Sequence, residues 1–443
     1  MKKIIAVIKK SITPTKDELN SKKQIADLAI RLIQKEVEKF SDVVGTELGG
    51  SYAKGTWMSK EADIDIFIKF KKSTSEKRFE EISKQIGFSS LKKFNPYVRY
   101  SQHPYVEAHI KKTKINVVPC YDVELGKWKS AADRSPFHTK HMQKVLTSKM
   151  RDEVRLLKVF LKSAGIYGAE IAKQGFSGYV SEVLILNYGT FENVIKSVSK
   201  IKQNQVIGKT GEKFDTTIVI TDPIDHNRNL AAAISNQNIG KFVLSCRAFQ
   251  DNPSQMFFKI SKRKKSAREW ENVLVVKFDY VMRSPDIIWG QIKRTTSALT
   301  TQLELGGFNV LRSMSYTDEK KEACLFFLLE SSTISKRYVK KGPEIFREDD
   351  CKSFIKKNIS KTQLMWLNND LKIVSLEKRK HNEAVRYLKE FLKNNLQTGI
   401  PKGIQSDFRK GYKVSLGNKI LRKPIKEAAL DLILTDEKIF YSN

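Results

Sequence analysis

A chain of 443 residues with 40% hydrophobic content can form two to four domains with real cores, since single cores stop growing well below this length. Its 81 Lys and Arg against 49 Asp and Glu leave a net charge of +32, spread along the chain with a dense run at Lys262-Arg263-Lys264-Lys265. That surplus points to polyanions, nucleic acid or a membrane surface, over a background of lysine on solvated faces. No apolar run approaches the ~20 residues of a membrane span. The apolar stretch in MKKIIAVIKKS is too short for a secretory signal. Cys120, Cys246, Cys324 and Cys351 stand far apart with no CxxC, which fits a reducing cytoplasm with no zinc site.

Residues 21 to 40 place Ile25, Leu28, Ala29, Leu32, Ile33, Val37 and Phe40 on one helical face, with Ser21 as the cap. A short strand follows at 43–48. In the stretch GGSYAKGTWMSKEADIDIF (49–67), the second half alternates as a strand. A helix is expected from about 75 to 87. PYVEAHI and KINVVPC then form two strands joined by KKTK, which sets His109 opposite Asn116 and Glu107 on the diagonal. Together these make a compact α+β unit ending near 145.

Residues 150–164 are strongly amphipathic and lead into a second domain, over 146–260, whose last helix begins near Gln237. A third region, 261–443, opens with a long helix (DIIWGQIKRTTSALTTQLELGG) and the strand FNVLRSMSY. ACLFFLLESS gives it the spacing of an α/β module to about 345, followed by a mostly helical tail.

In an extended strand the side chains at i and i+2 share a face, so Asp63 and Asp65 point the same way. Two adjacent carboxylates repel unless a cation sits between them, and hard oxygen ligands suit Mg²⁺. Upstream, Gly49-Gly50-Ser51 offers a turn without β-carbons, a hydroxyl and exposed backbone N–H groups that can cradle phosphate. A phosphate cradle beside paired acids is what two-metal nucleotidyl transfer requires. A lone DxD would more often be a solvated strand edge; GGS placed just before it makes that reading poor.

This stretch and the blocks around it resemble the archaeal-type (class I) CCA-adding tRNA nucleotidyltransferases of the polymerase-β-like nucleotidyltransferase superfamily. The GS…DxD signature is shared with poly(A) polymerases and other transferases. HPYVEAH (103–109), KINVVPCYDV (114–123), SAADRSPFHTKH (130–141), GIYGAE (165–170), GFSGYVSEVLI (175–185) and DPIDHNRNLAAAIS (222–235) narrow it by order and spacing. The likeness covers about residues 20 to 325.

The resemblance implies an α+β protein: a polymerase-β-like catalytic domain (1–145), a helical central domain (146–260) and α/β C-terminal tRNA-binding regions. It implies template-independent addition or repair of the CCA end of tRNA from CTP and ATP, with Mg²⁺. The enzyme would be cytoplasmic, off the membrane and homodimeric. By this pattern Asp63 and Asp65 are metal ligands, while Gly50, Ser51, His103, Lys158 and Tyr167 lie at the triphosphate. Arg228 reads the base, and His138 is a nucleotide contact whose role His141 contests. Lys293, Arg294 and Arg312 are expected to meet RNA phosphates, since a folded RNA is gripped mainly by backbone and shape.

One position breaks the pattern. The third catalytic acid of the family belongs where this chain has Asn116, on the face that looks toward Asp63 and Asp65. An amide keeps the shape and one oxygen ligand but removes a negative charge and a proton acceptor. A substitution made to silence the site, a divergent paralogue, and rescue by a neighbour, Glu107, all remain open. Beside a crippled CCA-adding enzyme stand two other readings: a non-catalytic RNA-binding paralogue and a poly(A)-type polymerase.

Overall fold

The computed structural model describes residues 1–61, 63–100, 103–260 and 268–440; the basic run at 262–265 lies outside the described residues. The chain divides into two compact units, Met1–Lys262 with Asp436–Asn443, and Arg263–Thr435.

The first unit opens with helix α1 (Lys2–Ile12) and helix α2 (Lys16–Val37). Helix α2 starts at Lys16 rather than at Ser21, because Thr15 and Glu18 form a capping box. The Thr15 hydroxyl accepts from the Glu18 N–H, and the Glu18 carboxylate accepts from the Thr15 N–H. Then come β1 (Val43–Gly49), the short helix α3 (Gly50–Lys54), β2 (Ile64–Phe70) and α4 (Glu76–Ser90). Strands β3 (Tyr97–Tyr100), β4 (Pro104–Ile110) and β5 (Thr113–Tyr121) complete a sheet of order β1-β2-β5-β4-β3.

Ile64, Ile66 and Ile68 of β2, Ile115 and Val117 of β5, and Val106 and Ala108 of β4 form one buried face. Helices α2 and α4 cover it with Ile25, Ala29, Ile33, Phe79, Ile82 and Ile86. The period of two therefore leaves Asp65, Asn116 and Glu107 together on the opposite face. The β4–β5 register departs from the expected one. Ile110 pairs with Thr113 across a two-residue turn whose Lys111 has φ 56°, so His109 faces Lys114 and Glu107 lies directly opposite Asn116. Buried Thr113 belongs to the strand, not the turn; its hydroxyl accepts from Lys22 Nζ at 2.7 Å.

Helices α5 (Arg134–Val145), α6 (Ser148–Ser163), α7 (Gly178–Tyr188) and α8 (Phe191–Val198) follow. A small sheet of β6 (Gln205–Ile207), β7 (Ile218–Asp222) and β8 (Asp225–Asn229) precedes α9 (Asn236–Asp251). Val154, Leu157, Phe160 and Leu161 of α6 share a core with α7, α8 and α9, and Ile5 and Ile8 bring α1 into that core.

The second unit contains β9 (Val273–Asp279), α10 (Pro285–Leu305), β10 (Val310–Thr317), β11 (Glu322–Leu329), β12 (Arg337–Glu344) and α11 (Glu348–Asn358). It continues through β13 (Thr362–Leu367), β14 (Lys372–Lys378), α12 (Ala384–Asn394), α13 (Lys402–Lys410), β15 (Tyr412–Leu416) and α14 (Lys423–Ile433). Helix α15 (Glu437–Phe440) returns to the first unit. The stretch after 345, expected to be mostly helical, thus also carries three strands. Strand β14 is the centre of a β12-β14-β13 sheet, and β15 closes the sheet β10-β11-β9-β15. That larger sheet is covered on one face by α10, α12 and α13 and on the other by α14. Burial on both faces is why ACLFFLL reads as a continuous apolar run instead of an alternating one.

Close approach of α4 to the catalytic-type sheet depends on Gly87, where an added Cβ would lie 2.5 Å from Val106 Cβ. Gly87→Ala is expected to cost about 1–3 kcal/mol through overpacking, despite alanine's higher helix propensity. A lowered urea midpoint would confirm it; a raised one would show that α4 can simply shift.

Candidate active site

Strand β1 runs antiparallel to β2 with Gly49 opposite Asp65, and the chain turns at once into α3. Gly50 has φ 62°, and a Cβ there would lie 1.7 Å from Asp65 Oδ2. Only a residue without a side chain lets backbone and carboxylate meet so closely. Parallel pairing of β2 with β5 sets Asp65 beside Asn116, whose Nδ2 donates to Asp65 Oδ1 at 2.8 Å. The Asn116 Oδ1 is buried and unpartnered. Asp63, just before β2, is half-exposed, with Lys114 Nζ at 3.5 Å.

Burial pushes the Asp65 carboxyl above the usual carboxylate range; the Asn116 amide opposes this and the Asp63 charge adds to it. Two crowded carboxylates and an unpaired amide oxygen are a set of hard donors that fits a divalent cation. Glu107, the possible substitute acid, is drawn the other way. Its carboxylate accepts from the Tyr97 hydroxyl on β3 and lies 3.6 Å from Arg99 Nε.

A cavity of about 340 Å³ opens beside this row. Ser51, Asp63, Lys158 and Tyr167, four of the expected residues, line it, together with Thr56 and Lys162. Lys158 is buried at its wall, donating to the Thr56 carbonyl at 3.0 Å and hydroxyl at 3.1 Å. Tyr167 is bridged to Phe176, and Lys162 Nζ sits 5.2 Å over its ring.

Beneath the cavity is an arrangement that sequence reading missed. Glu182 of α7 is fully buried. It binds Lys54 Nζ at 2.6 Å and the Thr56 hydroxyl at 2.6 Å, with Lys158 Nζ at 3.8 Å. Burial alone would raise the Glu182 carboxyl; Lys54 and Lys158 outweigh it and hold it low. Burial also pushes the Lys158 ammonium down to about 8, with Glu182 opposing. A signal was present: Glu182 is the one charged residue in the apolar helix GYVSEVLILNY.

A second group surrounds Asp222, also fully buried. Its Oδ2 meets Arg228 Nη1 and His138 Nε2, each at 3.0 Å, and its Oδ1 accepts from the Tyr179 hydroxyl at 2.8 Å. His138 stacks on the Tyr179 ring at 3.8 Å. Arg228 faces a separate cavity of about 690 Å³, with Trp128, Arg134 and Asp225. His138 thus shares a carboxylate with Arg228, whereas the buried Nε2 of His141 has no partner. Burial lowers the His138 pKa, against the pull of Asp222.

Other expected residues lie elsewhere. His103 packs edge-on to Phe79 beside Glu76 and Glu80 of α4, and does not line the Asp63 cavity. In the second unit, Arg312 Nη1 donates to the Leu432 carbonyl at 2.8 Å, near the end of α14. Arg294 is exposed on α10, and Lys293 half-buried beside it.

Comparison with known proteins gives three family matches in chain order. Residues 30–138 match the nucleotidyltransferase domain, 152–259 the tRNA nucleotidyltransferase second domain, and 271–417 the CCA-adding enzyme C-terminal domain. The chain is 33% identical over 420 residues to the CCA-adding enzyme of Saccharolobus islandicus, covering 94% of this chain and 97% of that one. It is 30% identical over 435 residues to the CCA-adding enzyme of Methanothermobacter thermautotrophicus, covering 95% of each. With that of Sulfurisphaera tokodaii the identity is 34% over 353 residues, 79% of this chain and 83% of the other.

The buried network makes a direct prediction. Glu182→Gln leaves Lys54 and Lys158 buried without their counter-charge, which is expected to cost about 3–5 kcal/mol. Urea unfolding measures it, and a loss below about 1 kcal/mol would mean that the lysines find other partners.

Proposed function

The chain belongs to the family of CCA-adding enzymes, and on that premise we propose that it completes tRNA 3′ ends at the cavity beside Asp63 and Asp65. It adds C, C and A from CTP and ATP without a nucleic-acid template. The observation that carries this is the row Gly50, Asp65 and Asn116, brought together by strand register beside a cavity lined by Ser51, Lys158 and Tyr167.

In this reading Asp63, Asp65 and the free Oδ1 of Asn116 hold Mg²⁺. When bound, such ions make the 3′ hydroxyl a better nucleophile and neutralise the triphosphate. Gly50 lets the Asp65 carboxylate lie against the turn, and Ser51, Lys158 and Tyr167 receive the phosphate. Arg228 presents its guanidinium to the base, aimed by Asp222, which also anchors His138. His103 takes no part at the triphosphate. On α10, Lys293 and Arg294 meet RNA, while Arg312, committed to the Leu432 carbonyl, serves the fold instead. The reading also includes a homodimer working in the cytoplasm, where four buried free thiols stay reduced. Among the described residues no helix is long and apolar enough to cross a membrane.

Asn116 limits the rate. Its amide adds no third negative charge and cannot take up the proton of the attacking hydroxyl, and Glu107 is engaged on the β3 side. Incubation with Mg²⁺, CTP, ATP and tRNA lacking CCA is expected to give slow extension by three nucleotides. Asn116→Asp should raise the rate at least about 10-fold. Binding without extension in both proteins would instead favour the RNA-binding paralogue, and long A-tails without C a poly(A)-type polymerase.

A pH dependence follows from Lys158. With its pKa lowered to about 8, the ammonium is present below that pH and lost above it. In the free enzyme, kcat/KM for CTP should therefore fall as pH rises through about 8. Lys158→Arg, which keeps its charge, should move that fall to higher pH; an unmoved limb would assign the titration to another group.

A further inference from the structure

Outside the Asp63 cavity, polar groups converge at the start of α4 without satisfying one another. The His103 side chain is 9% exposed, and its Nδ1 is buried with no hydrogen-bond partner. That nitrogen points at two carboxylates, Glu80 Oε1 at 3.6 Å and Glu76 Oε1 at 3.8 Å. Glu76 and Glu80 stand one helical turn apart on α4, and one ligand atom from each of the three residues lies within 4.8 Å of the others. Two more buried polar atoms in this corner have no partner: the Tyr121 hydroxyl and the Thr74 hydroxyl. The Tyr121 ring is stacked on Phe79, and burial and then the charges of Glu76, Asp133 and Glu80 raise its pKa. Lys129, which reaches over the Tyr121 ring, is committed to the carbonyls of Lys72 and Thr74.

We propose that Glu76, Glu80 and His103 form a second divalent-cation site that takes a first-row transition ion such as Zn²⁺. One imidazole nitrogen with two carboxylate oxygens is the mixed donor set such ions prefer over Mg²⁺. Bonds of about 2.0–2.1 Å in a tetrahedral site put ligand atoms about 3.3 Å apart. The carboxylates therefore need to close in by only a few tenths of an ångström on the imidazole. Glu76, 73% exposed, is free to do so, while Phe79 fixes the imidazole plane.

The site is separate from the proposed catalytic pair. His103 precedes β4 by one residue, and Glu107, opposite Asn116, is four positions further on, or about 13 Å along the strand. The cluster also lies on the helix-covered side of the sheet, and Asp65 on the other. An ion here ties the first turn of α4 to the beginning of β4.

The full-length protein, stripped of metal and held in excess Mg²⁺, is titrated with Zn²⁺ by calorimetry. Uptake of one equivalent that weakens at least about 10-fold in Glu76→Gln/Glu80→Gln supports the site. The two glutamates are on the helix surface, and circular dichroism verifies the fold of the variant. His103→Gln is the independent second variant and should show the same loss. Zn²⁺ should also raise the thermal midpoint of the unaltered protein and not that of either variant. No Zn²⁺ uptake, or uptake that both variants retain, overturns the proposal and leaves His103 as a buried imidazole beside two carboxylates.

Discussion

A single carboxylate, that of Glu182, holds the candidate site together. Lys54 comes from the end of α3, Thr56 from the loop that follows, Lys158 from α6 and Glu182 itself from α7. Three stretches of chain meet at two oxygens in a place water does not reach. Buried ions are tolerated when their charges are matched and their remaining donors and acceptors satisfied. The carboxylate satisfies Lys54 and Thr56 directly and leaves the more distant Lys158 ammonium at the cavity wall with its charge incompletely balanced. The loop after α3, the lysine and the helix behind them are fixed as one body.

The sheet contributes a different kind of constraint. Strand register alone puts Asp65, Asn116 and Glu107 side by side. Asn116 donates an amide hydrogen to Asp65 at 2.8 Å, where a carboxylate in the same seat would repel it.

Much of this was legible in the sequence, because local rules and the family resemblance agreed. GGS before DID predicted a glycine turn against a carboxylate strand, and the structure has that contact at Gly50 and Asp65. Expectation failed where distant residues decide. The hairpin register turned on whether Thr113 belongs to turn or strand, which its burial against Lys22 settles. The missed start of α2 was a local signal, the Thr15–Glu18 capping box. Glu182 and Asp222 were overlooked because a lone charge in an apolar run reads as surface until its partners, far along the chain, are known. His103 matched a motif by spacing, yet the entrance to β4 carries it to α4 instead of the cavity.

The return of the last helix has a consequence for how the molecule is assembled. Lys438 of α15 reaches the carbonyls of Ser163 at 3.1 Å and Lys259 at 2.5 Å, and Asp436 pairs with Lys241 at 2.9 Å. Positions 179 residues apart are thereby clasped, so the second unit is topologically a long loop inserted into the first. The first unit cannot be completed on the ribosome until the whole insertion has been made. Loop closure costs entropy that grows slowly with the length of free chain, and a folded insertion presents far less free chain than an unfolded one. Folding of the second unit therefore favours closure of the first, and an opened clasp would register a failure of either.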